Sequence, residues 1–415
     1  MEVLYPICCG LDVHKQMLTA CLSVVSAEGK RSKETRTYLT LTDDLVRLGD
    51  WLKAAGCPIV AMESTGIYWK PVYNILADGQ REVLVVNAAH IKAVPGRKTD
   101  VKDAEWIADL LQHGLLKASF IPSQAQRELR DLTRTRTILT DEHSAAVNRL
   151  QKVLEDANIK LASKKLVTDI MGVSGRLMVE AILEGNANPK TIAELAKGKL
   201  RKKRAELEKA LDGVVREHHR LLLVMHLEHI DFLDEQIARL SQEVAERLRP
   251  FEVEIELLDS IPGVGRLTAE VWAAEIGFDL SHWPSAGHLA SWAGLCPSNE
   301  ESAGKRKASK TRKGNKWLRR ALIEAAHAAS HKNDSYLQAQ FRRLKYRRGV
   351  KKAAVAVGHS ILVIAYNLLT HEEAYHDLGS AYLDERRRDR AKRRALAQLD
   401  ALGFEATLTP KRPAA

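Results

Sequence analysis

Three strand-like runs precede the first helical pattern of this chain. That order excludes an ordinary doubly wound sheet, which alternates strand and helix from its start. The runs are "YPICCGLDV", "LTACLSVVS" beyond the polar "HKQM", and the Thr-rich "SKETRTYLTL". "TDDLVRLGDWLKAAG" then reads as a helix, with Thr42 as N-cap and Gly56 as terminator. A fourth strand in "PIVAMEST", a helix in "YWKPVYNILADG" and a fifth strand in "EVLVVN" follow. A last helix opens in "KTDVKDAEWIADLL" and runs to Gly114.

Over residues 1–120 this is the element order of an α/β RNase H-like domain. In such a sheet the fourth strand lies beside the first. Asp12 ends the first strand and Glu63 ends the fourth, so their carboxylates are expected at one sheet edge. The helix carrying Asp100 and Asp103 packs beside that edge, and an i,i+3 pair shares one helical face. Read alone, those two acids also suit a helix start, as a cap and a charge against the dipole. Joined to Asp12 and Glu63 they make a four-carboxylate cluster that repels itself unless cations sit among the oxygens. Oxygen-only ligands suit Mg²⁺ or Mn²⁺. Two such ions about 4 Å apart activate an attacking oxygen and stabilise a leaving one in phosphodiester chemistry.

Residues 121–250 are poor in Gly and rich in helical pattern. Leu132, Leu139, Ala146 and Val153 form a stripe that Arg136 and His143 interrupt. Ile230, Leu233, Ile237, Leu240 and Val244 alternate spacings of three and four until Pro250. That period suits a coiled-coil seam or a helical hairpin; as an oligomerisation arm it predicts a dimer or tetramer. His218, His219, His226 and His229 have metal-like spacing, but polar positions on a long helix explain them better. Residues 251–375 read as a mainly α second unit, and 376–415 as a basic tail expected to be partly disordered. "IPGVGRL" between two helical patterns has the form of a helix-hairpin-helix turn. There Gly263 and Gly265 would let backbone N–H groups approach a phosphate. A plain helix–helix turn has the same spelling.

Charge points to a polyanion. With 64 basic and 53 acidic residues the net charge is +11, and the cations cluster in 197–204, 304–320, 342–352 and 385–394. The five cysteines show no CxxC spacing, and reduced thiols are expected, with Cys8 and Cys9 in a strand. No run of about 18 apolar residues is present and the N-terminus lacks signal-peptide order, so a cytoplasmic protein without a membrane segment is expected.

The densest basic segment follows a serine. In "CPSNEESAGKRKASKTRKGNKWLRRAL", Ser302 sits in a Gly-containing loop. A hydroxyl beside many cations could attack phosphorus, because Lys and Arg stabilise the developing charge; read without context, an ordinary loop hydroxyl explains Ser302 better. Lys98, Lys305, Arg306, Lys307, Lys310, Arg312, Lys313, Asn315, Arg319 and Arg320 are the candidates for contacts to a nucleic-acid backbone.

"GLDVHK", "MESTGIYW", "NAAHIKAVPGRKTDVKDAEWIADLL", "IPGVGRLTA" and "LASWAGLCPSNEESAGKRKASKTRKGNKWLRRAL" occur in this order. In them the chain resembles the Piv/MooV-type DNA invertases and the DEDD transposases of insertion sequences, described as bridge-RNA-guided recombinases. The resemblance implies a RuvC-like N-terminal domain whose metal-binding tetrad is Asp12, Glu63, Asp100 and Asp103. It implies a C-terminal domain in which Ser302, with Ser309 as the fallback, forms a covalent phosphoserine link to DNA. It further implies a structured noncoding guide RNA, and multimers that bring the RuvC-like domain of one protomer to the serine domain of another. Two other functions share these residues: a RuvC-like metal-dependent structure-specific endonuclease, and a catalytically silent nucleic-acid-binding protein.

Overall fold

The computed structural model describes residues 2–26, 28–64, 66–77, 79–87, 103–162, 166–185, 188–297, 301–302, 305–306, 311–405 and 407, without the side chains at 301, 302, 305, 306 and 387. The chain divides into two units, Met1–Ser123 and Gln124–Ala415.

The first unit is a five-stranded mixed sheet. Strands β1 (Ile7–Val13), β2 (Met17–Val25), β3 (Arg31–Leu39), β4 (Ile59–Glu63) and β5 (Glu82–Val86) lie in the order β3-β2-β1-β4-β5. β1, β2 and β3 form an antiparallel meander, and β4 runs parallel to both β1 and β5. The fourth strand therefore lies beside the first, as expected. Helices α1 (Thr42–Ala54) and α2 (Trp69–Leu76) belong with one face of the sheet, where Leu45, Leu48, Leu52, Val72 and Leu76 join Cys9, Leu11, Val60 and Met62. Thr42 is the first helical residue rather than the cap, and no side chain caps this helix. Helix α3 (Asp103–Gln112) covers the other face, with Ile107, Leu110 and Leu111 against Cys8, Ile59, Ala61 and Val86. Lys33 on β3 reaches Asp109 at 2.7 Å and holds α3 over the meander. β3 is almost wholly exposed and charged, which guards an open sheet edge against foreign strands.

The second unit is helical. α4 (Gln124–Asp156) is followed by α5 (Val173–Leu183), α6 (Pro189–Glu194) and α7 (Arg204–Ala210), and then by α8 (Glu217–Leu248). α4 and α8 pack antiparallel along their length: Glu128 meets Arg247 at 2.9 Å, His143 meets Asp234 at 3.2 Å, and Asp156 meets His219 at 2.9 Å. Of the two readings of the Ile230 seam, the hairpin is the one observed. Ile230 and Leu233 are buried in the same core as Ala146, Leu150 and Leu154 of α4. Val244 is buried in a second core of the same chain, while Ile237 and Leu240 stay half-buried. The polar interruptions of the α4 stripe are also explained, since His143 and Arg136 both reach across to other elements.

α9 (Glu252–Asp259), α10 (Arg266–Glu275), α11 (Ala286–Trp292), the two-residue strands β6 (Glu301–Ser302) and β7 (Lys305–Arg306), α12 (Lys316–Ala329), α13 (Tyr336–Arg348) and α14 (Val350–His371) complete a second core. Leu129 of α4 and Val244 and Leu248 of α8 are part of that core, so no break in packing falls near residue 250. Among the described residues α14 alone is long and apolar enough, by length and composition, to cross a membrane. Ala353, Ala354, Val357, Ile361, Leu362 and Ala365 nevertheless face the core between α12 and α13. The tail carries one helix among the described residues. Tyr382–Ala401 is a helix, α15, and its start is docked by a Tyr336–Tyr382 ring contact and by Arg343 donating to the Leu383 carbonyl. Asp384 and Glu385 in its first turn complement the helix dipole.

Candidate functional site

The β1–β4 register builds the carboxylate edge. Leu11 lies opposite Met62, so Asp12 and Glu63 are the next residues on two parallel neighbours. Side chains alternate between faces along a strand. Leu11 and Met62 enter the α1–α2 core, while Cys8 and Ala61 enter the α3 core. The alternation puts Asp12 and Glu63 on the α3 side.

Gly10 explains how close the helix comes. A Cβ at Gly10 would lie 2.3 Å from the Ala104 carbonyl oxygen and 2.4 Å from the Ala108 nitrogen. The first turn of α3 thus rests directly on the strand two residues before Asp12, and Asp103 is the helix's first residue. Asp12, Glu63 and Asp103 are each half-buried. Lys98 and Asp100 lie outside the described residues.

His14 was not anticipated. Its Nε2 is 3.1 Å from Asp12 Oδ2. The available signal was the i,i+2 spacing in "LDVH", which puts both side chains on one side of an extended segment. The donor set is carboxylate oxygen with one imidazole at its edge, half open to solvent. That chemistry suits a hard divalent cation, for which Asp12, Glu63 and Asp103 are the candidate ligands.

Among the described residues one group of three potential ligands has all its ligand atoms within 4.8 Å: Asp156, His218 and His219. His219 is already committed at both nitrogens. Its Nδ1 accepts the Arg216 N–H at 3.2 Å, closing a capping box at the start of α8, and its Nε2 faces Asp156 Oδ2 at 2.9 Å. A structural lock explains this cluster, in line with the reading of these histidines as polar helix positions.

In the second unit Ser302 lies in β6, paired in backbone register with Lys305 of β7. A bridge between Pro297 and Thr311 closes the base of that segment. Ser309, Lys307 and Lys310 lie outside the described residues, as do the side chains of Lys305 and Arg306. Arg312 and Lys313 are exposed, whereas Arg319 is half-buried.

Three of the expected backbone contacts also have partners within the fold. Asn315 caps α12: its Oδ1 accepts from the N–H groups of Trp317 and Leu318 at 3.0 and 3.1 Å, and its Nδ2 donates to Glu275 Oε2 at 2.6 Å. Arg320 is held by Asp141 and Glu324, which raise its pKa, Asp141 more. Gly263, at φ +88°, turns its Cα onto α12, where a Cβ would lie 2.3 Å from the Ala325 carbonyl oxygen. Its glycine is required by helix packing, as in a plain helix–helix turn. Gly265, by contrast, is the exposed N-cap of α10.

Buried carboxylates were also missed. Glu270, 3% exposed at its side chain, receives Arg136 at 2.6 Å. Glu275, with no exposed side-chain surface, receives Arg134 at 2.7 Å through both Nε and Nη2. The signal was Glu270 and Glu275 inside the otherwise apolar "LTAEVWAAEIG".

Residues 9–159 match a transposase family of the DEDD, IS110 type, and residues 255–342 match the family described as transposase IS116/IS110/IS902. The chain is 24% identical over 302 residues to the transposase for insertion sequence element IS1111A of Coxiella burnetii, over 70% of this chain and 72% of the relative. It is 28% identical over 251 residues to the insertion element IS116 uncharacterized 44.8 kDa protein of Streptomyces clavuligerus, over 53% of this chain and 61%, less than two thirds, of that relative. A pilin gene-inverting protein of Moraxella bovis is 32% identical over 122 residues, 29% of this chain and 38% of that protein.

Proposed function

We infer, for a chain that belongs to the IS116/IS110/IS902 transposase family, that the first unit is a RuvC-like metal-dependent DNA-processing centre working with a serine nucleophile in the second unit. One observation carries the reading: the β1–β4 register and the seat of α3 on Gly10 put Asp12, Glu63 and Asp103 on one side of one sheet edge.

Asp12, Glu63 and Asp103, with Asp100, would hold the divalent cation, Mg²⁺ or Mn²⁺. When bound it supplies charge neutralisation at a phosphodiester and activation of the attacking oxygen. Asp12 is oriented by His14, which sits 3.1 Å from its Oδ2. Ser302 Oγ attacks phosphorus, a P–O ester bond breaks, and the departing oxygen takes up the proton that the serine loses. The strand is then joined to the protein through a phosphoserine, and attack by a new strand's hydroxyl on that ester rejoins DNA and regenerates the serine. Neighbouring cations stabilise the charge on the phosphoryl oxygens throughout. A structured noncoding RNA as the source of sequence choice, and an assembly of several copies, belong to the same reading and are supported by the motifs that resemble the guided recombinases.

The test compares the wild type with Ser302→Ala and Asp12→Ala for a covalent protein–DNA adduct, with Mg²⁺ and the flanking noncoding RNA present. Loss of the adduct in both variants is expected. Metal-dependent cleavage that survives Ser302→Ala would instead leave a structure-specific endonuclease.

A further inference from the structure

A cavity of about 640 Å³ in the second unit is lined by Arg130 and Arg134 of α4, His288 and Trp292 of α11, and Arg312 and Lys313 before α12, among others. No carboxylate lines the cavity. The nearest compensating charge is Glu275, wholly buried behind it, whose two oxygens take Arg134 at 2.7 Å each. Arg130 donates to the Ala274 carbonyl at 2.9 Å and also to that of Glu275. Both guanidinium groups are therefore fixed before any ligand arrives, so little side-chain entropy is lost on binding. Arg312 and Lys313 have no carboxylate partner among the described residues. Four cations against one buried anion leave a concave surface with excess positive charge, and an anion in it relieves their mutual repulsion.

The rest of the wall combines Trp292 and His288 with Ser291, Gly314 and Asn315. Trp292 is half-buried and braced by Trp283, with ring centroids 5.0 Å apart. With Nε and Nη2 of Arg130 and Arg134 already taken, each guanidinium keeps Nη1 for a ligand, and cations in a wall shared with an indole suit a backbone phosphate together with its base. The volume is that of a small-ligand pocket, ample for one nucleotide. Its place in the chain is telling: Arg312 and Lys313 directly follow Thr311, which closes the base of the segment bearing Ser302.

We propose that this pocket seats one phosphodiester of a nucleic-acid strand, with the attached base against Trp292, and that Arg134 and Arg130 are its pre-set inner cations. The assignment rests on the functional reading above and adds the place where the strand is gripped.

The experiment uses the full chain in EDTA, so that binding is read without cleavage. A single-stranded DNA and an RNA of the same sequence, each carrying one 5-iodouracil, are titrated across salt concentrations and then photocrosslinked. Arg312→Ala/Lys313→Ala changes only exposed side chains, and an unchanged thermal midpoint confirms its fold. The expected result is a crosslink at Trp292, an affinity about 10-fold or more weaker in the double variant, and a salt slope lower by about 1–2. Whichever oligonucleotide crosslinks identifies the strand. A double variant that binds with unchanged affinity and slope overturns the pocket, as does a wild type that crosslinks at other sites. Cleavage assayed separately with Mg²⁺ keeps the two ideas apart. Cutting with an unaffected double variant sinks only the pocket, and Trp292 crosslinking without cutting sinks only the nuclease reading.

Discussion

Arg136 Nη1 lies 2.6 Å from Glu270 Oε2, and both side chains are at most 5% exposed. The pair ties the long α4 helix to α10, and Arg266 reaches the same carboxylate at 3.2 Å. Removing Arg136 leaves the buried Glu270 with only the longer contact to the part-exposed Arg266, and removing Glu270 strands the buried Arg136, whereas removing both need not strand a buried charge. Arg136→Met is expected to destabilise the second unit by about 3–5 kcal/mol, and the double change Arg136→Met/Glu270→Leu to recover most of that loss. Urea unfolding of the three proteins checks this. A double variant no more stable than the single one would contradict it.

Asn315 gives a sharper test, because its two ends do different jobs. Asn315→Ala loses the α12 cap and should cost about 1–2 kcal/mol. Asn315→Asp keeps a good cap but sets a second carboxylate where the amide donated to Glu275 at 2.6 Å. It should be the less stable of the two near neutral pH and regain stability as the medium is acidified. Thermal midpoints at two pH values read the difference.

Two glycines are expected to respond oppositely to alanine. Gly10→Ala forces a Cβ into the α3 backbone and should cost about 1–3 kcal/mol, with a disproportionate loss of metal-dependent activity as α3 and Asp103 shift. Gly49 lies inside α1, where a Cβ would meet only side-chain atoms at 3.8 Å and beyond. Gly49→Ala should stabilise by about 0.5–1 kcal/mol. Chemical denaturation of both variants, with cleavage measured in parallel, is the check.

At the carboxylate edge, Asp103→Asn and Glu63→Gln should each lower metal-dependent strand cleavage by about 100-fold or more, the size seen when one charge-stabilising group is removed from a site. DNA binding in EDTA should be retained. Equal loss of binding and cleavage would make these acids structural.

The buried thiols predict an alkaline limit for the first unit. Burial, then the neighbouring Cys57, pushes the Cys8 thiol up to about 12, and burial pushes Cys57 up to about 11. The folded state prefers the protonated form, so this contribution is complete below the unfolded thiol pKa near 9. Above it the unfolded chain ionises first, and stability falls by about 1.4 kcal/mol per pH unit for each such group until the folded pKa is passed. Titrating the unfolding midpoint from pH 8 to 11 tests the sign. A thiol reagent at neutral pH should reach the half-buried Cys296 before Cys8, Cys9 or Cys57.

Much of the first unit was legible in sequence because its signals are local. Alternation marks strands, Gly56 and Gly114 mark helix ends, and an acid at the end of a strand can be named from its place in the run. The sheet order and the shared edge of Asp12 and Glu63 follow once those elements are recognised. The partners of charged residues on long helices were not legible. Arg136 and His143 look like flaws in an apolar stripe until Glu270 and Asp234, distant in sequence, arrive opposite them. Nor were the fold partners of Asn315, Arg320 and Gly263 legible, namely Glu275, Asp141 and the α12 backbone.

The sequence by itself determined which segments become strands and helices and which acids end them, because periodicity and capping act over a few residues. Only the tertiary structure decided that the apolar seam of α8 closes on α4 of the same chain, and which cations remain exposed for a polyanion. Those outcomes depend on which groups far apart in the sequence meet, where a buried charge must find its counter-charge and a glycine its neighbouring helix.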